Sequence, residues 1–261
     1  MAALFVDEVN WPQYGLQFLN VHVLLFGGAT VYNSWWDKDE GPVGGLESPP
    51  KMQRWMWPVS LVIQYLGLYW AIYVGWNFAL IYAISMVLFW LYSSPLVRWK
   101  GKPILSLIAI GVSTGTNSFF LGYLAAGGYP ITLYEDLIAL GVACLVLSLY
   151  PVSQVFQTED DMNRGDETFA AKYGLKGIKW LFAVLFPLGT VILSVTLVIS
   201  KGTAGYVFGG VGSLAYLAVL YLVLQLEGKK SEYPLVMRIK FLASLSFVLF
   251  MLTWIASDLL L

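Results

Sequence analysis

Residues 178–226 read IKWLFAVLFPLGTVILSVTLVISKGTAGYVFGGVGSLAYLAVLYLVLQL, a stretch of 49 residues with only two charged side chains, Lys179 and Lys201. The pair Lys201-Gly202 divides it into apolar runs 178–200 and 203–226. Each run exceeds the ~20 residues that a helix needs to cross a hydrocarbon core of about 30 Å. Neither alternates polar with apolar residues, which excludes paired β-spans. In lipid the backbone must then satisfy its own hydrogen bonds as helix. The stretch is an antiparallel pair of membrane-spanning helices joined by a tight turn.

Working outward, six more windows are long and apolar enough: 12–36, 55–74, 77–95, 104–126, 134–157 and 237–259. Gly75-Trp76 makes a second short connection. The whole chain is 58% apolar and 12% charged, about half the charge of a soluble domain. That balance excludes a disordered chain, a soluble enzyme and a nucleic-acid binder with a basic face. The expected architecture is a single all-α membrane domain over 1–261, a bundle of about eight spans in the lipid bilayer around a lipid-accessible cavity. The one cysteine, Cys144, lies in an apolar run and has no intrachain partner to oxidise with. Asp7 and Glu8 stand where a signal peptide would be basic, so no cleavable leader is expected.

Charge placement predicts the orientation. Of the 15 Lys and Arg, 14 fall in the loops after spans one, three, five and seven, and only Lys201 lies on the other face. The positive-inside rule sets the rich face in the cytoplasm and both termini outside. The same face carries 11 of the 16 carboxylates, a density of both signs that suits chemistry better than anchoring alone.

Two helix ends on that face are acidic. The first span closes on Asn33, Asp37 and Glu40, spaced i, i+4 and i+7 along one helical face, before Gly41-Pro42 stops the helix. The fifth closes on Gln157, Glu159 and Asp161, with Gln157 and Asp161 on one face and Arg164 a turn further on. Oxygen ligands at such spacing suit Mg²⁺, which takes one or two carboxylates and fills its octahedron with water and phosphate oxygens. Solvated helix ends with stop-transfer charge are the plainer reading of each cluster taken singly. Asn33 lies at or just inside the membrane boundary, where polar groups are costly, and the second cluster repeats the pattern. Asn33 and Gln157 are 124 positions apart, which predicts a pseudo-repeat of two four-helix halves.

At these residues the chain resembles the UbiA superfamily of intramembrane prenyltransferases. Asn33 and Asp37 match the Asn and middle Asp of its N-D-x-x-D-x-x-x-D motif, whose other acidic positions fall here on Ser34 and Gly41, with Glu40 one residue early. In the second motif, D-x-E-x-D followed by Gly and Thr, Gln157 replaces the first Asp, while Glu159, Asp161, Gly165 and Thr168 match. Tyr92 to Arg98 resembles the family's Tyr-x-x-x-Leu-Lys-Arg loop, with Val97 in place of Lys. Family members usually have nine helices, so the leading one is expected to be absent.

The resemblance implies a prenyl diphosphate donor, Mg²⁺ as cofactor and a hydrophobic acceptor in the membrane, aromatic or a quinone precursor. It implies Asp37 and Asp161 as catalytic residues, with Asn33, Asp37, Glu40, Gln157, Glu159 and Asp161 as metal ligands. For the diphosphate it nominates Lys51, Arg54, Tyr92, Ser93, Arg98, Lys102 and Arg164, with Arg54, Arg98 and Lys102 ranked above Lys51, Lys100 and Arg164. Any of these cations also satisfies the positive-inside rule without a ligand, and Tyr92 equally suits an interfacial anchor. His22, mid-span, is read as a packed histidine bonded to a neighbouring helix rather than a base. Asn117 and the glycines at 209 and 210 are read as helix packing. Gly44-Gly45 is read as letting the first loop fold over the cavity mouth.

Three readings compete. The leading one is a Mg²⁺-dependent prenyltransferase, which needs a second substrate. A terpene cyclase on the same scaffold would consume the diphosphate alone. A lipid-binding protein that has lost catalysis would explain the missing acidic positions.

Overall fold

A computed structural model describes residues 2–38, 41–42 and 45–260, with only the backbone of 253 and 255–260; Asp39, Glu40 and Gly44 lie outside the described residues. The described residues form eight main helices: α1 (Trp11–Asp37), α2 (Met56–Ala71), α3 (Trp76–Ser93), α4 (Pro103–Ala125), α5 (Leu133–Asn163), α6 (Phe169–Lys201), α7 (Thr203–Leu224) and α8 (Tyr233–Leu260). No β-strand forms among the described residues. Among the described residues, seven helical segments are long and apolar enough to cross a membrane. The expected span 55–74 is the exception. Its helix α2 has 16 residues, about 24 Å of rise. Ile72, Tyr73 and Val74 then hydrogen-bond back to residues 69–71 in a tightened turn that ends it.

The helices group into two compact units, Met1–Glu135 and Asp136–Leu261. The division falls at the start of the fifth helix.

In the first unit, α1 buries Val21, Leu25 and Ala29 at i, i+4 and i+8. Val21 and Leu25 join Phe78, Tyr82 and Leu121 in one core. A buried polar clamp ties three helices there. Asn20 Nδ2 donates to Gln17 Oε1 (2.8 Å) and to the Gly67 carbonyl of α2 (3.1 Å), and Tyr82 Oη of α3 donates to Asn20 Oδ1 (3.3 Å). Such interhelical bonds contribute about 0.6 kcal/mol each in a bilayer. Gly67 has to be glycine, because a methyl group there would run into Tyr82 Oη and Asn20 Oδ1. Asn117 donates to Ser85 Oγ (2.9 Å), a packing contact between α4 and α3. His22 differs from expectation: it is exposed, and its Nδ1 pairs with the Phe18 carbonyl of its own helix (2.9 Å) while the ring stacks on Phe18. An i−4 carbonyl is always within reach on a helix, so the ring needs no neighbour.

In the second unit, α6 and α7 pack through small residues: a Cβ on Gly212 would meet Thr190 at 2.5 Å. Lys179 Nζ donates to the carbonyls of Leu224 (2.9 Å) and Leu226 (2.8 Å), placing positive charge on the C-terminus of α7. In the following loop, hydrogen bonding from Lys229 holds the Glu227 carboxyl below its usual range.

Candidate functional site

The acidic end of α1 is built by residues far apart in sequence. Asp37 is 4% exposed although it closes a membrane helix. Its Oδ1 accepts from Arg98 Nη2 (3.1 Å), and its Oδ2 accepts from Lys100 Nζ (2.7 Å) and Asn33 Nδ2 (2.9 Å). Ser93 Oγ of α3 donates to Asn33 Oδ1 (2.8 Å), which completes a chain from α3 to the carboxylate. A buried carboxylate is tolerated only when paired and hydrogen-bonded, and here it is both.

Two backbone features deliver the cations. Arg98 has φ +39 and ψ +63, left-handed for a residue with a Cβ, at a cost of about 1–3 kcal/mol. A 3₁₀ turn at Trp99–Gly101 then swings Lys100 inward, leaving it 5% exposed. At the other end, Lys38 closes α1 in the left-handed region, with its N–H on the Ser34 carbonyl.

Beside this cluster lies a cavity of about 730 Å³. Asn33, Ser93 and Tyr92 line it from the polar side, and Phe26 and Phe89 line it within the span. The loop after α1 also borders it through Gly45, Leu46, Pro49 and Met52, consistent with a loop folding over the mouth.

The acidic end of α5 is built locally instead. After Pro151 the chain runs through a 3₁₀ segment, Val152–Gln157, into a short helix, Thr158–Asn163. Asp161 is fully buried, and its Oδ1 accepts from Arg164 Nη2 at 2.6 Å, three residues on. Arg164 Nε is 4.0 Å from Asp166 Oδ2, and Asp166 is itself buried. Asp160 pairs with Lys230 at the start of the last helical segment (2.6 Å). Glu159 is exposed and Gln157 partly so. The Gly and Thr of this motif have backbone duties. Gly165 turns the chain with φ +81, and Thr168 caps α6 by accepting from the Ala171 N–H (3.3 Å).

The nominated residues thus divide. Asn33, Asp37, Ser93 and Arg98 come together in the first unit, with Tyr92 on the adjoining cavity wall, and Asp161 and Arg164 come together in the second. Lys51 and Arg54 are exposed and join no ion pair among the described residues. Lys102, ranked above Lys100 for the diphosphate, is exposed, whereas Lys100 holds the carboxylate. Loop residues follow no helical period, so neighbouring lysines could not be sorted by spacing. Glu40 falls outside the described residues. Among the described residues no three His, Cys, Asp or Glu side chains cluster as a ready cation cage. The donors on offer at both ends are oxygens of Asn, Gln, Asp and Glu, a hard set that fits Mg²⁺ shared with phosphate oxygens.

Residues 1–245 match the model of the UbiA prenyltransferase family. No curated protein matches the sequence significantly. Among solved structures, a UbiA homolog from Archaeoglobus fulgidus bound to DMAPP and Mg²⁺ superposes with a TM-score of 0.73 at 16% identity, covering 96% of this chain and 91% of that one. The same homolog bound to GPP and Mg²⁺ gives 0.72 at 16% identity, over 96% and 92%. A structure described for digeranylgeranylglyceryl phosphate synthase in membranes gives 0.66 at 17% identity, over 96% and 90%. At such identities the likeness establishes the fold.

Proposed function

This chain belongs to the UbiA prenyltransferase family, and from that membership we propose that it moves the prenyl group of a prenyl diphosphate onto an apolar acceptor dissolved in the bilayer, aromatic or a quinone precursor. The C–O bond to diphosphate breaks with its electrons on the leaving group. An acceptor atom bonds to the freed prenyl carbon, and the acceptor's proton leaves to water. The observation that carries the reading is the buried Asp37 holding Arg98 and Lys100 beside an apolar cavity of about 730 Å³. A cavity of that size and character suits an isoprenoid tail, and paired cations suit a diphosphate.

The oxygen donors proposed for Mg²⁺ are Asn33, Asp37 and Glu40 at the first acidic end and Gln157, Glu159 and Asp161 at the second. When bound, Mg²⁺ supplies charge that makes diphosphate a better leaving group. Arg98 and Lys100 take the diphosphate oxygens directly, held in place by Asp37, while Tyr92 and Ser93 offer hydroxyls at the cavity wall. Arg54, Lys51 and Lys102 are free to reach the substrate from solvent.

The charge asymmetry supports an orientation with the acidic ends in the cytoplasm and both termini outside. Single cysteines at exposed positions 102 and 230 should react with an impermeant thiol reagent only from the cytoplasmic side; reaction from outside overturns the orientation. Activity is tested with purified protein, Mg²⁺ and a set of prenyl diphosphates, with and without a membrane lipid extract. Diphosphate release that requires the extract, with a prenylated product, is the expected result. Release without acceptor, with a cyclic hydrocarbon as product, would make the protein a cyclase. No release from any donor would make it a binding protein that has lost catalysis.

A further inference from the structure

We propose that the ring pair Phe26–Phe89 is the floor of the first unit's cavity and limits the donor to a tail of about two isoprene units. The inference rests on the prenyl diphosphate reading above and names which donors the site takes. Phe26, Thr30 and Asn33 lie on one face of α1 at i, i+4 and i+7, and all three line the cavity. On α3, Phe89, Tyr92 and Ser93 do the same at i, i+3 and i+4. The two helices are joined at the polar end by the Ser93–Asn33 hydrogen bond. Further along they are joined by Phe26 and Phe89, whose rings meet edge to face with centroids 5.7 Å apart at 86°.

Behind that pair the interior is filled. Phe26 and Phe89 pack against the first unit's core cluster, whose Leu25, Met86 and Phe78 are each no more than 3% exposed. A tail entering beside Asn33 therefore meets the rings before any further space. Seven residues separate Asn33 from Phe26, about 10 Å of helix rise. An extended chain advances about 3.5 Å per three bonds, so a four-bond isoprene unit takes up about 5 Å. The interval holds roughly two such units. A third or fourth would have to displace the ring pair or leave the cavity sideways into lipid.

Diphosphate release is measured from ten-, fifteen- and twenty-carbon prenyl diphosphates at equal subsaturating concentration, with Mg²⁺ and acceptor extract. Rates are expressed within each protein as the ratio of the twenty- to the ten-carbon donor, which cancels differences in the amount of folded enzyme. In the wild type this ratio should be about 0.1 or below. Phe89→Ala should raise it about tenfold, Phe26→Leu should raise it less, and Phe89→Trp should lower it. A wild-type ratio near one or above overturns the inference, and so does an unchanged ratio in whichever of these variants retains activity. Release from no donor at all by the wild type would instead remove the donor reading on which the inference stands.

Discussion

The two acidic helix ends solve the same problem by different routes. Asp37 and Asp161 both end up buried, and both are neutralised by basic side chains. Asp161 finds Arg164 within one turn. Asp37 takes its cations from positions 61 and 63 residues away, brought in by a loop with a left-handed arginine. A local pair exists as soon as the short helix forms. A distant one exists only after α1 and α3 have packed. The first unit's cluster therefore reports on tertiary structure, and the second largely on sequence.

The comparison breaks most visibly at Asp37. Replacing it by Ala breaks the ion pairs to Arg98 and to the almost fully buried Lys100 and should cost about 3–5 kcal/mol in reversible unfolding in detergent. Diphosphate release should fall by at least about a hundredfold. Asp161→Ala should cost less stability, because Arg164 is partly exposed and keeps Asp166 nearby. Equal losses in both variants would show that the distant pairing confers no special dependence.

Lysines 100 and 102 sharpen the same point. Lys100→Met removes a charged hydrogen bond to a buried carboxylate and should cost about 1.5–3 kcal/mol. Lys102→Met should stay within about 0.5 kcal/mol, as for an exposed side chain without such a contact. Thermal unfolding of the two variants side by side decides this, and the reverse order would contradict the placement of Lys100.

In the second unit, Thr168→Ala should cost about 1 kcal/mol through loss of the α6 cap, with the Mg²⁺ dependence of activity unchanged. Gln157→Asp should do the opposite, lowering the Mg²⁺ needed for half-maximal diphosphate release. Titrations of both variants separate backbone duty from metal-site duty. The smallest effect should be at Lys230, whose pair with Asp160 is mostly exposed. Lys230→Ala should change stability by no more than about 0.5 kcal/mol, and less at high salt.

The membrane helices, their approximate ends and the two acidic segments were all legible in the chain itself. Each depends on local quantities, length of an apolar run and 3.6-residue spacing, although the first span stops at Lys38 rather than at Gly41-Pro42. Asp161 with Arg164 belongs to that class. Gly165 and Thr168 were legible only as matches to the family motif, and their roles in a turn and a cap came from the backbone. Tertiary structure alone decided that α2 is shorter than its apolar window, since a tightened turn ends it at Ala71. It also decided that Lys100 rather than Lys102 meets Asp37, that Lys51 and Arg54 stay exposed, and that His22 bonds to its own helix. These outcomes turn on loop backbone and on contacts between residues distant in the chain. Hydrophobic periodicity encodes which face of a helix is buried, but it carries no information about which loop side chain will cross to meet it.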